Sequence, residues 1–297
     1  MSIHNTEVEN PYKKYAKWLP LKIEPKPGTK EEGAPVARQF SKVAIVAKLP
    51  VRVDLRSKCP PVYDQGTLGS CTAQACVCIY SIMCKNTFAP SRLFVYYNER
   101  MMIGTTAVDS GAYLEDGIQS MTTYGSCSEK SWPYDIRKFA IKPPPKCYTE
   151  ALNHQVVTAM GLVNTVRAMQ TCLASGVPFI VAINVYSSFL SSNVSKTGIV
   201  PMPNPTKEYY VGGHAVVCVG YDHTKQWWIM RNSWGTRWGD KGYFYLPYDY
   251  LIREDLSSDL WNILETENAT KVIRPQVVSE LKLAMQKGGH LRRMIIT

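Results

Sequence analysis

The chain has 297 residues, 45% of them hydrophobic, and its 34 Lys/Arg against 24 Asp/Glu give a formal charge of +10. That is enough apolar material for one large domain or two small ones, and its longest apolar runs, such as 179–185, are too short to span a bilayer. The charge sits at the ends: residues 1–50 hold nine Lys/Arg against five Asp/Glu and 268–297 hold six against one, while 51–267 nearly balance. This excludes a uniformly basic nucleic-acid groove and leaves two basic arms, either solubilising or able to meet a polyanion such as nucleic acid or an anionic surface.

Residues 1–50 are rich in Lys and Pro without periodicity and read as an extended N-terminal extension. Within it, Tyr12, Tyr15 and Trp18 are costly to leave in water and are expected to dock on something. The start of the chain lacks a secretory h-region, so the nine cysteines are expected to be mostly free thiols in a reducing compartment, cytoplasmic or packaged in a particle. The loop 63–70 then runs into a helix predicted from Thr72, with Ser70 as N-cap and Cys71 in the first turn. There the helix terminus favours a thiolate, although a buried structural cysteine fits the same pattern. Cys76, Cys78 and Cys84 lack a second ligand pair at metal spacing and read as helix packing; no metal site is expected.

A second helix is predicted over 91–100 and a third over 113–124, ending at Gly125. Pro143-Pro144-Pro145 marks the expected seam between a helical half, 51–145, and a β-rich half, 146–267. In the second half a helix over 166–175 closes at Gly176, followed by a buried strand over 179–186. Segments 214–221, 227–230 and 242–246 complete an antiparallel sheet, open or barrel-like. The basic tail 268–297 contains a helix predicted over 276–287, with Pro275 at its start and one apolar face.

A nucleophilic thiolate needs a base, and the base needs a group to orient it. His214 follows Cys71 by 143 residues, and Asn232 follows His214 by 18. Gln65…Gly69-Ser70-Cys71, Gly213-His214-Ala215-Val216, Asn232-Ser233-Trp234-Gly235 and Trp238-Gly239…Gly242-Tyr243 together resemble the signatures of papain-like cysteine peptidases, from about Val53 to about Ile263. The resemblance implies an α+β fold with the active-site cleft between a helical half and an antiparallel sheet. It also implies a protein or peptide substrate and no cofactor, with residues 1–50 as a short propeptide of a zymogen.

The residue roles follow from that resemblance: Cys71 is the nucleophile, His214 the base in a resting thiolate–imidazolium pair, and Asn232 its orienter under the shield of Trp234. Gln65 and the Cys71 N–H are the oxyanion donors, while Gly69, Ser70, Ser110, Gly111 and Gly213 are expected to line the substrate cleft. Two departures stand out. Leu68 replaces a disulfide cysteine and Thr72 a large aromatic, changes that resemble short bacterial-type or viral-type members. Endopeptidase action is the expected activity; a ligase or transpeptidase using the same thioester, or a non-catalytic binding module, is the alternative.

Overall fold

The structure, a computed structural model, describes residues 48–266 and the strand Ile295–Ile296. Most of the N-terminal extension and the helix expected over 276–287 therefore lie outside the described residues.

Helix α1 (Cys71–Met83) is buried at every position. It is apolar or small nearly all round, as a helix enclosed by other elements must be. Helices α2 (Arg92–Met102) and α3 (Leu114–Thr123) pack on it from one side. Ser91 caps α2 by accepting the Phe94 N–H at 3.1 Å. Between α2 and α3 runs the two-residue strand β2 (Ala112–Tyr113).

The expected seam falls elsewhere. Pro145, instead of ending the helical half, opens helix α4 (Pro145–Ala151), because proline suits the first helical turn. Cys147 and Ala151 of α4 pack with Phe94 of α2, so the helical half continues past residue 145.

The second half is an antiparallel sheet built from β1 (Arg52–Asp54), β3 (Val156–Gly161), β4 (Phe179–Tyr186), β5 (Tyr210–Asp222), β6 (Trp227–Arg231), β7 (Tyr243–Pro247) and β8 (Ser257–Thr266). Its order is β3–β8–β4–β5–β6–β7, with β1 added on β5. Helix α5 (Val166–Ala174) begins at Thr165, whose side chain accepts the Ala168 N–H, and ends ahead of Gly176 at φ +82°. Helices α6 (Ser192–Thr197) and α7 (Tyr248–Ile252) are short connectors. β1 belongs to this half although it precedes α1 in the chain: Arg52 pairs with Asp222 and Asp54 with Gly220.

The tail returns to the catalytic unit. Strand β9 (Ile295–Ile296) pairs antiparallel with β2 and packs against β5, where the sequence suggested an arm standing outside.

Candidate active site

Cys71 opens α1 and is fully buried. The preceding Ser70 occupies the N-cap position without capping. Its hydroxyl lies 2.6 Å from the Tyr134 hydroxyl and accepts from Gln74 Nε2 at 3.2 Å, which turns it into the wall rather than toward the cleft. The Cys71 sulfur accepts the Ala215 N–H at 3.5 Å. That bond ties Cys71 to the residue after His214, across the two halves.

His214 sits in β5 opposite Ile183 of β4. Its Nε2 lies 2.8 Å from Asn232 Oδ1, while Nδ1 has no partner. Asn232 follows the last residue of β6, and its N–H donates to Gly242 O at 2.9 Å. Oδ1 also accepts the Ser233 N–H at 2.8 Å, so the amide oxygen is fixed toward the ring. Trp234 stacks on the imidazole with centroids 4.9 Å apart and planes at 27°. Trp234 in turn packs edge-on to Trp238 and Phe189, and Phe244 completes the aromatic block. Water is thereby kept from the His214–Asn232 bond, which strengthens it.

Gln65 is fixed from both ends of its amide. Oε1 accepts from Ser233 Oγ at 2.6 Å and Nε2 donates to Leu68 O at 2.9 Å. The backbone joins in: Gln65 N donates to Ser233 O, and Gly235 N donates to Tyr63 O. The loop before Cys71 is thus laced to the segment that carries Asn232.

The loop at 109–111 is braced against the same place. Asp109 accepts the Gly69 N–H with both carboxylate oxygens, at 3.0 and 3.2 Å, and also the Tyr96 hydroxyl. Gly111 takes φ +68°, a left-handed conformation that suits glycine, and Ser110 Oγ donates to Thr105 Oγ1 at 2.7 Å. Gly213 pairs with Asn184 across β4. β2, next after Gly111, is the strand that pairs with β9.

Two groups on α2 had no motif to announce them. Glu99 is fully buried and accepts the Thr72 hydroxyl at 2.6 Å and the Ala73 N–H. It thus ties down the first turn of α1 from the neighbouring helix, and Thr72, smaller than the family's aromatic, leaves room for it. Its neighbour Arg100, also fully buried, donates to the carbonyls of Tyr96, Thr106, Val108 and Phe139 and so holds the 105–109 loop in shape. Leu68 joins the hydrophobic core.

Burial dominates the electrostatics. It pushes the Cys71 thiol up to about 12, against the Ala215 N–H, and the His214 imidazole down to about 4, against its bond to Asn232. Burial thus works against the expected thiolate–imidazolium pair when each charge is taken by itself. Glu99 is likewise pushed up by burial, to about 8. Among the described residues no group of His, Cys, Asp or Glu is placed to hold a metal ion, and no helix is long and apolar enough to cross a membrane.

The chain is similar to several known cysteine proteases. A peptidase C1-like protein of Acanthamoeba polyphaga mimivirus is 43% identical over 215 residues, which are 68% of this chain and 69% of that protein. The cathepsin B-like CP3 of Giardia intestinalis is 31% identical, over 62% of this chain and 63% of its own length. The crystal structure of xylellain, a cysteine protease from Xylella fastidiosa, superposes with a TM-score of 0.72 at 36% identity, covering 82% of this chain and 98% of that one. Residues 49–254 match the model of the papain family cysteine proteases, and the chain belongs to that family as a cysteine-type peptidase.

Proposed function

We propose that the protein is a cysteine endopeptidase acting through Cys71, His214 and Asn232, with Gln65 as an oxyanion donor. The observation that carries the reading is the joint placement of sulfur and imidazole. The Ala215 N–H holds Cys71, while Asn232 engages Nε2 of His214 and leaves Nδ1 without a partner. A ring so held has one nitrogen to accept the thiol proton and one fixed by its orienter.

Each charge alone is disfavoured by burial, but moving the proton from sulfur to Nδ1 creates both at once, and their attraction offsets much of that cost. The thiolate attacks the scissile carbonyl, and the oxyanion gathers at the Cys71 N–H and the Gln65 amide. The imidazolium then protonates the leaving amine, and the neutral ring activates water against the thioester. The pairing of β2 with an extended strand supports reading the edge beside Gly111 as the wall along which a substrate backbone lies. Gly69 and Gly213 flank the reacting centre, and Ser70 and Ser110 support its walls. The other described histidines are engaged elsewhere: His154 stacks on Phe88 and His223 contacts Gln170. Neither is paired with the other, which favours internal cleavage. The basic arms are proposed to meet polyanions.

The test is labelling by a peptidyl epoxide combined with cleavage-site mapping on a peptide library. Modification at Cys71 with internal cuts is expected. Labelling elsewhere, or cleavage that survives Cys71→Ala, overturns the assignment.

A further inference from the structure

Strand β9 hydrogen-bonds to one half of the molecule and packs on the other. It pairs antiparallel with β2, Ala112 opposite Ile296 and Tyr113 opposite Ile295, and β2 stands between α2 and α3 in the helical half. β9 also packs against β5, the strand that carries Gly213 and His214 in the sheet half. A segment that touches both halves at once lies where they face each other, and that is where Cys71 and the strand of His214 meet.

The edge that β9 takes is the one beside the substrate wall. The Gly111 N–H donates to the Tyr96 hydroxyl at 3.3 Å, and Gly111 O accepts from Ser110 Oγ at 2.9 Å. The glycine of the wall is thus held by side chains, and strand pairing falls to the next two residues, Ala112 and Tyr113. An extended peptide entering the cleft would add to the same edge in the same way.

The burial of the site is the second observation. Cys71 and His214 each have 0 % of their surface exposed. Gly69, Gly111 and Ala112 on one side and Gly213 on the other are buried as well. A peptidase has to present its sulfur to a polypeptide, so a nucleophile and base with no exposed surface have something lying over them. The sequence pointed to residues 1–50 as the cover. The segment that the structure pairs with β2 comes from the opposite end of the chain.

We propose that β9 is an autoinhibitory strand: Ile295–Ile296 occupies the substrate edge of the cleft, and peptides reach Cys71 only when that strand leaves. This rests on reading the site as a peptidase cleft. A ladder of two residues is short, too short to hold by its own strength. It is held by being part of the same chain, which keeps its effective concentration high. Such a strand is a latch that a longer peptide can displace, one able to pair over more of the cleft.

The test compares wild type with the full chain carrying Ile295→Pro and Ile296→Pro together, which removes both N–H groups of the strand. Alkylation of Cys71 by iodoacetamide, mapped by peptide mass, reads access to the sulfur without depending on turnover. The reactive population is the open fraction, so a rise of about ten-fold or more in the Cys71 rate is expected, with the other cysteines and the urea midpoint unchanged. Hydrolysis of a short peptide should rise in parallel. A synthetic peptide with the sequence of residues 291–297 should then raise the KM of the substituted chain and leave its kcat alone. Equal alkylation rates in wild type and variant overturn the proposal, as does acceleration that appears only on deleting residues 1–47. Faster alkylation with no hydrolysis by either protein upholds the strand as the cover of Cys71 and removes the peptidase reading instead.

Discussion

In the helical half the ionisable group buried behind Cys71 is an acid, Glu99; in the sheet half the buried group is a base, His214. Burial disfavours the charged form of both, yet their proton linkages run in opposite directions. Glu99 is raised from 4.5 to about 8. The folded state keeps a proton that the unfolded chain has released, so this contribution is full below 4.5 and is lost as pH rises through 8. His214 is lowered from 6.5 to about 4. Here the unfolded chain binds a proton that the folded state refuses, so the contribution is full above 6.5 and is lost as pH falls through 4. Between 4.5 and 6.5 the two slopes oppose one another. The lesson is that a site assembled from two halves can balance an acid against a base, and the two slopes then cancel where both groups are charged in the unfolded chain.

The largest expected effect separates chemistry from fold. Cys71→Ser should lower peptide turnover by roughly 10⁴-fold or more while leaving the urea midpoint near wild type, since only the sulfur changes. Retained turnover would remove the helical half from the chemistry.

The next pair of variants breaks the balance from either side. Relative to wild type at each pH, Glu99→Gln should lose about 2–3 kcal/mol of stability on acidification from 6.5 to 4.5, because the His214 slope then stands alone. His214→Gln should gain a similar amount over the same interval, because only the Glu99 slope remains. Urea unfolding across that interval checks both, and slopes of the same sign in the two variants would refute the opposition. Above 6.5 wild type should weaken toward 8 by about 2 kcal/mol while Glu99→Gln stays level. The smallest effect sharpens the contact itself. Thr72→Val removes the hydroxyl that Glu99 accepts and should cost about 1–2 kcal/mol, measured as a shift in urea midpoint with an unchanged m-value.

The legibility of these parts from sequence follows their locality. Gln65 and Cys71, His214, and Asn232 sit in three short motifs whose glycines and polar neighbours are adjacent in the chain, and the structure brings the three into one network through Ser233, Ala215 and Trp234. Glu99 and Asp109 were invisible for the opposite reason. Each is an ordinary acid until α2 packs on α1, and the partners Thr72 and Gly69 lie 27 and 40 residues away. One hint was present, since replacing a large aromatic by Thr72 leaves space and a hydroxyl in need of an acceptor. Strand β8 escaped because Ser257-Ser258-Asp259-Leu260-Trp261-Asn262 mixes polar and apolar residues without clean alternation. Its place between β3 and β4 is decided by packing, which no local period records. The three prolines were read as a break, yet Pro145 only fixed the angle at which a helix begins.

The placement of β1 bears on how the molecule could be divided. The chain lays down Arg52–Asp54 on the sheet before it crosses to α1, and residues 63–65 pair back onto 233–235. A gene split after residue 151 would leave the helical fragment carrying a strand whose partner is on the other fragment, and the sheet fragment with an open edge on β5. The fragments should therefore be insoluble when made apart and should reconstitute when made together, each acting as the other's folding template.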